Sequence, residues 1–290
     1  MTQSFQRLLA KSITLALISG FLASIGTAQS SITFSAGSGF VPSGTYLDVN
    51  INGAAVYELT TGVIANDDLS VSANGQAIVS GATITDAFSA SGSGQITFNS
   101  GSALRGFVSG DAIFTLNGGT ITNSILAGGA TLNMNGGSAG SVGVGTSTGT
   151  GAVNFTGGTL SSGISAEWNS TVTISGGNPT RVNLQRGSNL ILQAFDFGSG
   201  YSSGQVLTFS DLGADPEGAT NVNGLAFTLN YGGGNIETFN VRGFNSSPLL
   251  WNGTITLTAV PEPATAPLIL AGIVMAAVVG RRRPRALAKS

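Results

Sequence analysis

The residues of this chain that could carry out acid–base chemistry are its carboxylates, because the sequence contains no His and no Cys. The commonest general base and metal ligand is therefore missing, and neither disulfides nor thiolate metal sites can form. Two groups of carboxylates stand out: Asp67 with Asp68, and Asp211, Asp215 and Glu217 in the stretch DLGADPEG. A glycosidase needs two such groups facing one groove.

Neither group has the pattern of an active site. Adjacent residues of a strand point to opposite faces, so Asp67 and Asp68 are expected in a turn. The Pro and Gly of DLGADPEG indicate a loop, and we favour a solvated loop over a Ca²⁺ site there. Without His a Ser-His-Asp triad cannot form either. We therefore expect no catalytic residues, no metal site and no cofactor, and we do not expect an enzyme.

The central part of the chain, residues 29–263, is acidic. It contains four Arg and no Lys against 13 Asp and Glu, which gives a net charge of −9, whereas the whole chain has −2. The other basic residues lie near the two ends. An acidic body is repelled by phosphate backbones, so nucleic acid is not expected as a partner.

A short phrase recurs along this body, as in FTLNGGT (114–120), TLNMNGG (131–137) and VNFTGGT (153–159). The last apolar residue before each turn recurs every 18 to 21 residues, at Leu59, Val79, Phe98, Leu116, Met134, Phe155, Ile174 and Leu192. A second apolar residue precedes most of these by two positions, and the residue between them is mostly polar. Self-similarity near 20 residues indicates a solenoid in which each copy covers the apolar face of its neighbour.

The pattern predicts an all-β fold whose body is a parallel β-helix. Gly-Gly or Ser-Gly after each strand supplies the backbone angles of a sharp corner, and apolar residues after several corners (Ile84, Ile121, Leu160) mark a second strand. An antiparallel sandwich or barrel with Gly-rich hairpins is the alternative, but it predicts pairs of strands 8 to 12 residues apart. We assign residues 29–58 to an N-terminal cap, 59–194 to the solenoid repeats and 195–259 to a β-rich C-terminal cap.

The outward residues of the repeat raise a second functional possibility. Thr97, Thr115 and Thr173 could form a row suited to ice binding, but Asn and Ile interrupt the row. Thr on an exposed strand face is also what β-propensity alone gives. Ice binding is therefore the least favoured function.

The N-terminus has the form of a secretory signal peptide. Residues 1–28 contain a basic start (Arg7, Lys11), an apolar run over 13–25 and small residues at Gly26 and Ala28. This pattern predicts a signal helix and cleavage between Ala28 and Gln29.

The C-terminus has the form of a membrane anchor. Residues 264–280 carry no charge and are followed at once by Arg281, Arg282 and Arg283. A helix of this length spans about 26 Å, close to the hydrocarbon thickness of a bilayer. The Arg cluster is expected to stop transfer on the cytoplasmic side, which leaves the acidic body outside.

Val260, Pro261, Glu262 and Pro263, the apolar segment and the Arg cluster together resemble the PEP-CTERM sorting tail, which is also labelled an ice-binding protein C-terminal domain. The resemblance covers residues 260–290 and implies that a membrane-embedded exosortase recognises Pro261, Glu262 and Pro263 and processes the tail. It also implies an association with extracellular polysaccharide and biofilm matrix.

Together these features predict an exported protein that is anchored transiently in the inner membrane, processed, and then displayed at the cell surface or released. Its expected role is structural or adhesive, with an exosortase-type membrane protease and extracellular polysaccharide as partners. The alternative is a carbohydrate-active enzyme of β-helix fold, of glycosidase or lyase type.

Overall fold

The predicted β-helix is confirmed. A computed structural model describes residues 30–147, 149–198, 200–213, 222–245 and 250–260. Its 22 strands form one continuous sheet that winds into stacked coils, and nearly all of the pairings between coils are parallel. The antiparallel sandwich is therefore excluded for this body. One short 3-10 helix, Phe209–Asp211, interrupts the β-structure.

Each coil has up to three short walls, which we call A, B and C in the order in which the chain passes through them from each repeated phrase. Wall A holds the repeated phrase. Its strands are β2 (Ser38–Phe40), β5 (Val56–Thr60), the starts of β8 (Gln76–Ala90) and β9 (Gln95–Ser109), β10 (Ile113–Leu116), β12 (Thr131–Met134), β14 (Ala152–Phe155), β16 (Thr171–Ile174), β18 (Asn189–Ala194) and β22 (Ile255–Ala259).

Walls B and C complete each coil. In the middle coils one strand runs through both walls, and its pairing register with the next coil shifts between them. Wall B consists of β3 (Gly44–Tyr46), β6 (Val63–Ala65), the middle of β8 and β9, and the first residues of β11 (Thr120–Gly128), β13 (Ser138–Val144) and β15 (Thr159–Ala166). Wall C consists of β1 (Ile32–Phe34), β4 (Val49–Ile51), β7 (Leu69–Val71), the ends of β8, β9, β11, β13 and β15, then β17 (Arg181–Leu184) and β21 (Ile236–Phe244).

The apolar residues of the repeat stack in columns inside the coil. In wall A, Phe98 pairs with Leu116, and Leu116 pairs with Met134. The column continues without a break from Leu59 through Phe155, Ile174 and Leu192 to Leu257. These side chains are buried. Stacking therefore buries the apolar face that a single coil could not bury alone.

The two glycines of the Gly-Gly corner are needed for different reasons. Gly137 has a φ of +70°, in the left-handed region that side chains disfavour. Gly136 has ordinary backbone angles, but a Cβ there would overlap the carbonyl oxygen of Asn117 in the previous coil. The corner thus needs one glycine for its turn and another for the close approach of two coils.

The chain outside 59–194 continues the stack. Strands β1, β2 and β3, in the segment assigned to the N-terminal cap, pair in parallel with β4, β5 and β6 of the next coil. At the other end, β21 and β22 extend walls C and A. Two antiparallel strands, β19 (Val206–Leu207) and β20 (Val222–Asn230), then pair with β22 and β21.

The predicted signal helix (1–28) and the predicted transmembrane helix (264–280) lie outside the described residues. Within the part of the chain that the structure describes, no helix has the length and apolar character required to cross a bilayer.

Candidate functional sites on the solenoid surface

The sorting motif begins where the solenoid ends. Strand β22 ends at Ala259, and the backbone N–H of Val260 donates a hydrogen bond of 3.1 Å to the carbonyl oxygen of Ala194. Val260 is the one residue of the predicted motif that the structure describes; Pro261, Glu262, Pro263, Arg281, Arg282 and Arg283 lie outside it, as do Ala28 and Gln29. The tail therefore leaves the body from the last coil of wall A.

Among the described residues, three carboxylates cluster where walls B and C meet. Asp67 and Asp68 are in a turn, and Asp86 stands in the next coil, so that oxygens of all three lie within 4.8 Å of one another. Burial raises the pKa of Asp68, and the neighbouring carboxylates of Asp67 and Asp86 raise it further, while the backbone N–H of Ala87 opposes the shift. Asp86 also forms an ion pair of 2.9 Å with Arg105.

The sequence contains a signal for this cluster in the spacing of its charged residues. Asp48, Asp67, Asp86 and Arg105 are each 19 residues apart, which is the length of one coil. The repeat that spaces the apolar residues therefore also places these four charged residues in one column. Asp86 stands alone in the sequence, so no local motif marks it.

The second predicted group of carboxylates does not form a site in the described chain. The Asp211 carboxylate accepts hydrogen bonds from the backbone N–H and the hydroxyl of Thr208, at 2.7 and 2.8 Å. These bonds lower its pKa and cap the 3-10 helix. Asp215 and Glu217 lie outside the described residues.

The outer face of wall A carries the polar row that suggested ice binding. Within this row Asn133 donates to Thr115 at 3.4 Å and Asn154 donates to Asn133 at 2.8 Å, and a second ladder runs through the residues at the start of each corner. Asn117 donates to Asn99 at 3.0 Å, Asn135 donates to Asn117 at 2.9 Å, and the Thr156 hydroxyl donates to Asn135 at 2.9 Å. Such amide ladders satisfy polar groups between stacked strands and stabilise the stack. The face thus uses much of its hydrogen-bonding capacity internally.

The outer face of wall C contains a depression of about 510 Å³. Phe107 and Leu126 form one side of it and are 41% and 46% exposed. Gly143 and Gly145 form its floor, and Ser165 and Glu167 form the opposite rim. The Glu167 carboxylate accepts a hydrogen bond of 3.0 Å from the guanidinium of Arg186, which lies over the ring of Trp168 at 4.3 Å.

The second tryptophan is a packing residue. Trp251 is buried, and its indole N–H donates to the carbonyl oxygen of Ser188 at 2.7 Å. Its ring covers Gly243 at the last coil, where a Cβ would overlap it. Trp251 therefore closes the C-terminal end of the core and is not available to a ligand.

Comparison with known proteins bears on the tail alone. Residues 259–283 match the family model of the PEP-CTERM protein-sorting motif, which confirms the resemblance drawn from the sequence. No curated protein and no solved structure matches the chain at the significance required.

Proposed function

We propose that this chain is a structural or adhesive protein that is exported, processed by an exosortase-type membrane protease and retained in an extracellular polysaccharide matrix. The C-terminal helix at 264–280 holds it in the inner membrane until processing. The body is then displayed at the cell surface or released. The PEP-CTERM motif at 259–283 carries this proposal.

The geometry of the junction supports processing at the motif. The last strand of wall A ends at Ala259, so Pro261, Glu262 and Pro263 follow directly after the stack. Cleavage there removes no strand and no buried side chain of the described body. The processed protein would therefore keep its whole core.

The surface of the body supports a structural role more than a catalytic one. The clustered Asp67 and Asp68 lie in a turn, and Asp86 in strand β8 is neutralised in part by Arg105. The depression on wall C is lined by one carboxylate, Glu167, which is paired with Arg186. We therefore also propose that the body is not an enzyme, because a glycosidase needs two carboxylates that face one groove.

Cell fractionation combined with intact-mass measurement tests the proposal. We expect the wild-type chain to begin at Gln29, to lack the tail, and to be found at the cell surface or in the medium. A variant without residues 261–263 should keep the tail and stay in the inner membrane. Glu262→Gln removes the negative charge of the motif. Glu237→Gln removes one negative charge from strand β21 and is the matched control. The proposal is wrong if removal of the motif changes neither mass nor location.

A further inference from the structure

The depression on wall C is built by the order of residues in one outward column. Register partners in successive coils are Phe107, Leu126, Gly143, Ser165 and Asn183. The column thus changes from two large apolar side chains to no side chain and then to short polar ones. Across the four coils from Phe107 to Ser165 it extends roughly 14 Å at the usual strand spacing.

The floor of the depression is kept open by its glycines. Gly145 has a φ of +90°, and a Cβ there would overlap the carbonyl oxygen of Glu167. A Cβ on Gly143 would stand 2.9 Å from a terminal methyl of Leu126. A larger residue at Gly143 would narrow the depression against Leu126, and one at Gly145 would push the next coil away at Glu167.

The charges around the depression are balanced. Arg105 lies over the ring of Phe107 at 5.7 Å and is paired with Asp86. At the other end Glu167 is paired with Arg186. The lining therefore combines an exposed aromatic face, hydroxyls from Ser109, Thr146 and Ser165, and a neutralised carboxylate in a body of net charge −9. A polyanion has no uncompensated cation to bind in this lining.

We infer that the depression binds a short segment of an uncharged polysaccharide. The inference rests on the proposed function, since it assigns the place where the matrix polymer is held. The C–H face of a sugar ring packs on Phe107 and Leu126, where apolar contact is favourable. The sugar hydroxyls bond to Ser165 and to the Glu167 carboxylate, which Arg186 keeps in place. The volume is within the range of small-molecule sites.

Isothermal titration calorimetry tests this inference by measuring the affinity of the full chain, in detergent, for defined oligosaccharides. The probes are neutral β-linked glucose and mannose hexamers and a hexamer of galacturonic acid. We expect at least one neutral hexamer to bind and the uronic acid hexamer to bind at least tenfold more weakly. Phe107→Ala should weaken the neutral ligand at least tenfold, and Ser165→Trp, which fills the depression, should do the same. Phe40→Ala removes another exposed phenylalanine, at the far end of the stack, and should leave the affinity within twofold.

The possible results separate the site from the wider proposal. Absence of binding by both neutral hexamers, preference for the uronic acid hexamer, or equal affinity of Phe107→Ala and wild type would overturn the inference. Processing and location of the chain do not depend on this depression. A chain that is processed at its motif but binds no sugar contradicts the site alone, whereas a chain that binds sugar but is not processed contradicts the proposed function.

Discussion

The side-chain amide of Asn117 donates a hydrogen bond of 3.0 Å to the amide oxygen of Asn99, which precedes it by one coil of 18 residues. Asn117 also accepts a bond of 2.9 Å from Asn135 in the following coil. One side chain thus links three coils on the outer face of wall A. The corner that follows each of these residues is held by polar contacts as well as by the core.

Asn117→Ala should lower the free energy of unfolding by about 0.5–1.5 kcal/mol, because it leaves two amide groups without their partners at the protein surface. Denaturant unfolding followed by circular dichroism measures this change. Asn223→Ala is a control outside the ladder, since Asn223 bonds to a single carbonyl oxygen, that of Phe209. A loss for Asn117→Ala no larger than for this control would show that the ladder adds no stability of its own.

The glycines of this protein allow backbone strain and steric overlap to be measured separately. Gly213 has open space and ordinary angles, Gly233 has open space and a φ of +63°, and Gly136 has ordinary angles and a carbonyl oxygen in the way. Alanine at Gly213 should be neutral. Alanine at Gly233 should cost about 1 kcal/mol through its left-handed angle, and alanine at Gly136 should cost more, because the coils must separate.

Thermal and denaturant unfolding of the three variants check this order. The order matters because the sequence alone does not distinguish a glycine needed for its backbone angle from one needed for close contact between coils. If Gly136→Ala is as stable as Gly213→Ala, adjacent coils are not as close at the corner as the structure places them.

The sequence predicted wall A in most coils and a second strand at Ile84, Ile121 and Leu160, which is wall B, but it did not predict wall C. Wall A alternates large apolar and polar residues, so its period could be read from Phe98, Leu116 and Met134. Wall C carries small residues such as Ala127, and its outward column contains Gly143, so its apolar signal is weak. The depression on wall C could not be predicted either, because Phe107 and Leu126 are apolar residues that point outward.

The first coils were also hidden from the repeat analysis. Strands β1 to β4 have three residues each, which is too short to show an alternation. The carboxylate cluster required coil-to-coil register, which only the structure supplies. The two termini, in contrast, were assigned from composition and residue order alone. The match at residues 259–283 confirms the sorting tail, and the signal peptide stays a prediction.

Asp68 should make the body less stable as pH rises. Its pKa is raised in the folded state, so the folded chain binds its proton more tightly than the unfolded chain does. The unfavourable contribution is absent below the unfolded pKa near 3.8 and is complete above the folded pKa. Solvent screening keeps the effect below about 1 kcal/mol.

Asp68→Asn should therefore stabilise the protein at pH 7, and the gain should shrink as the pH falls towards 3.8. Urea unfolding at pH 4 and pH 7 measures it. Asp111→Asn removes an acidic charge elsewhere and controls for net charge. A gain that is the same for both variants would indicate a general charge effect instead of a local one.

The core should respond to mutation coil by coil. Phe98 is fully buried and lies against Phe88 and Phe114, with ring centroids 5.3 and 5.9 Å away. Phe98→Ala should lower the free energy of unfolding by about 3–5 kcal/mol, because it removes the ring and leaves a cavity. Phe40→Ala, at 67% exposure in the first coil, should change it by less than about 0.5 kcal/mol.

Hydrogen exchange would show where the loss falls. In a solenoid each coil contacts its neighbours alone, so the faster exchange of Phe98→Ala should be centred on the strands at residues 76–90, 95–109 and 113–116 and fade towards β18. Uniformly faster exchange along all described strands would mean that the stack unfolds as one cooperative unit. Unchanged exchange in β10 would contradict the pairing of Phe98 with Leu116.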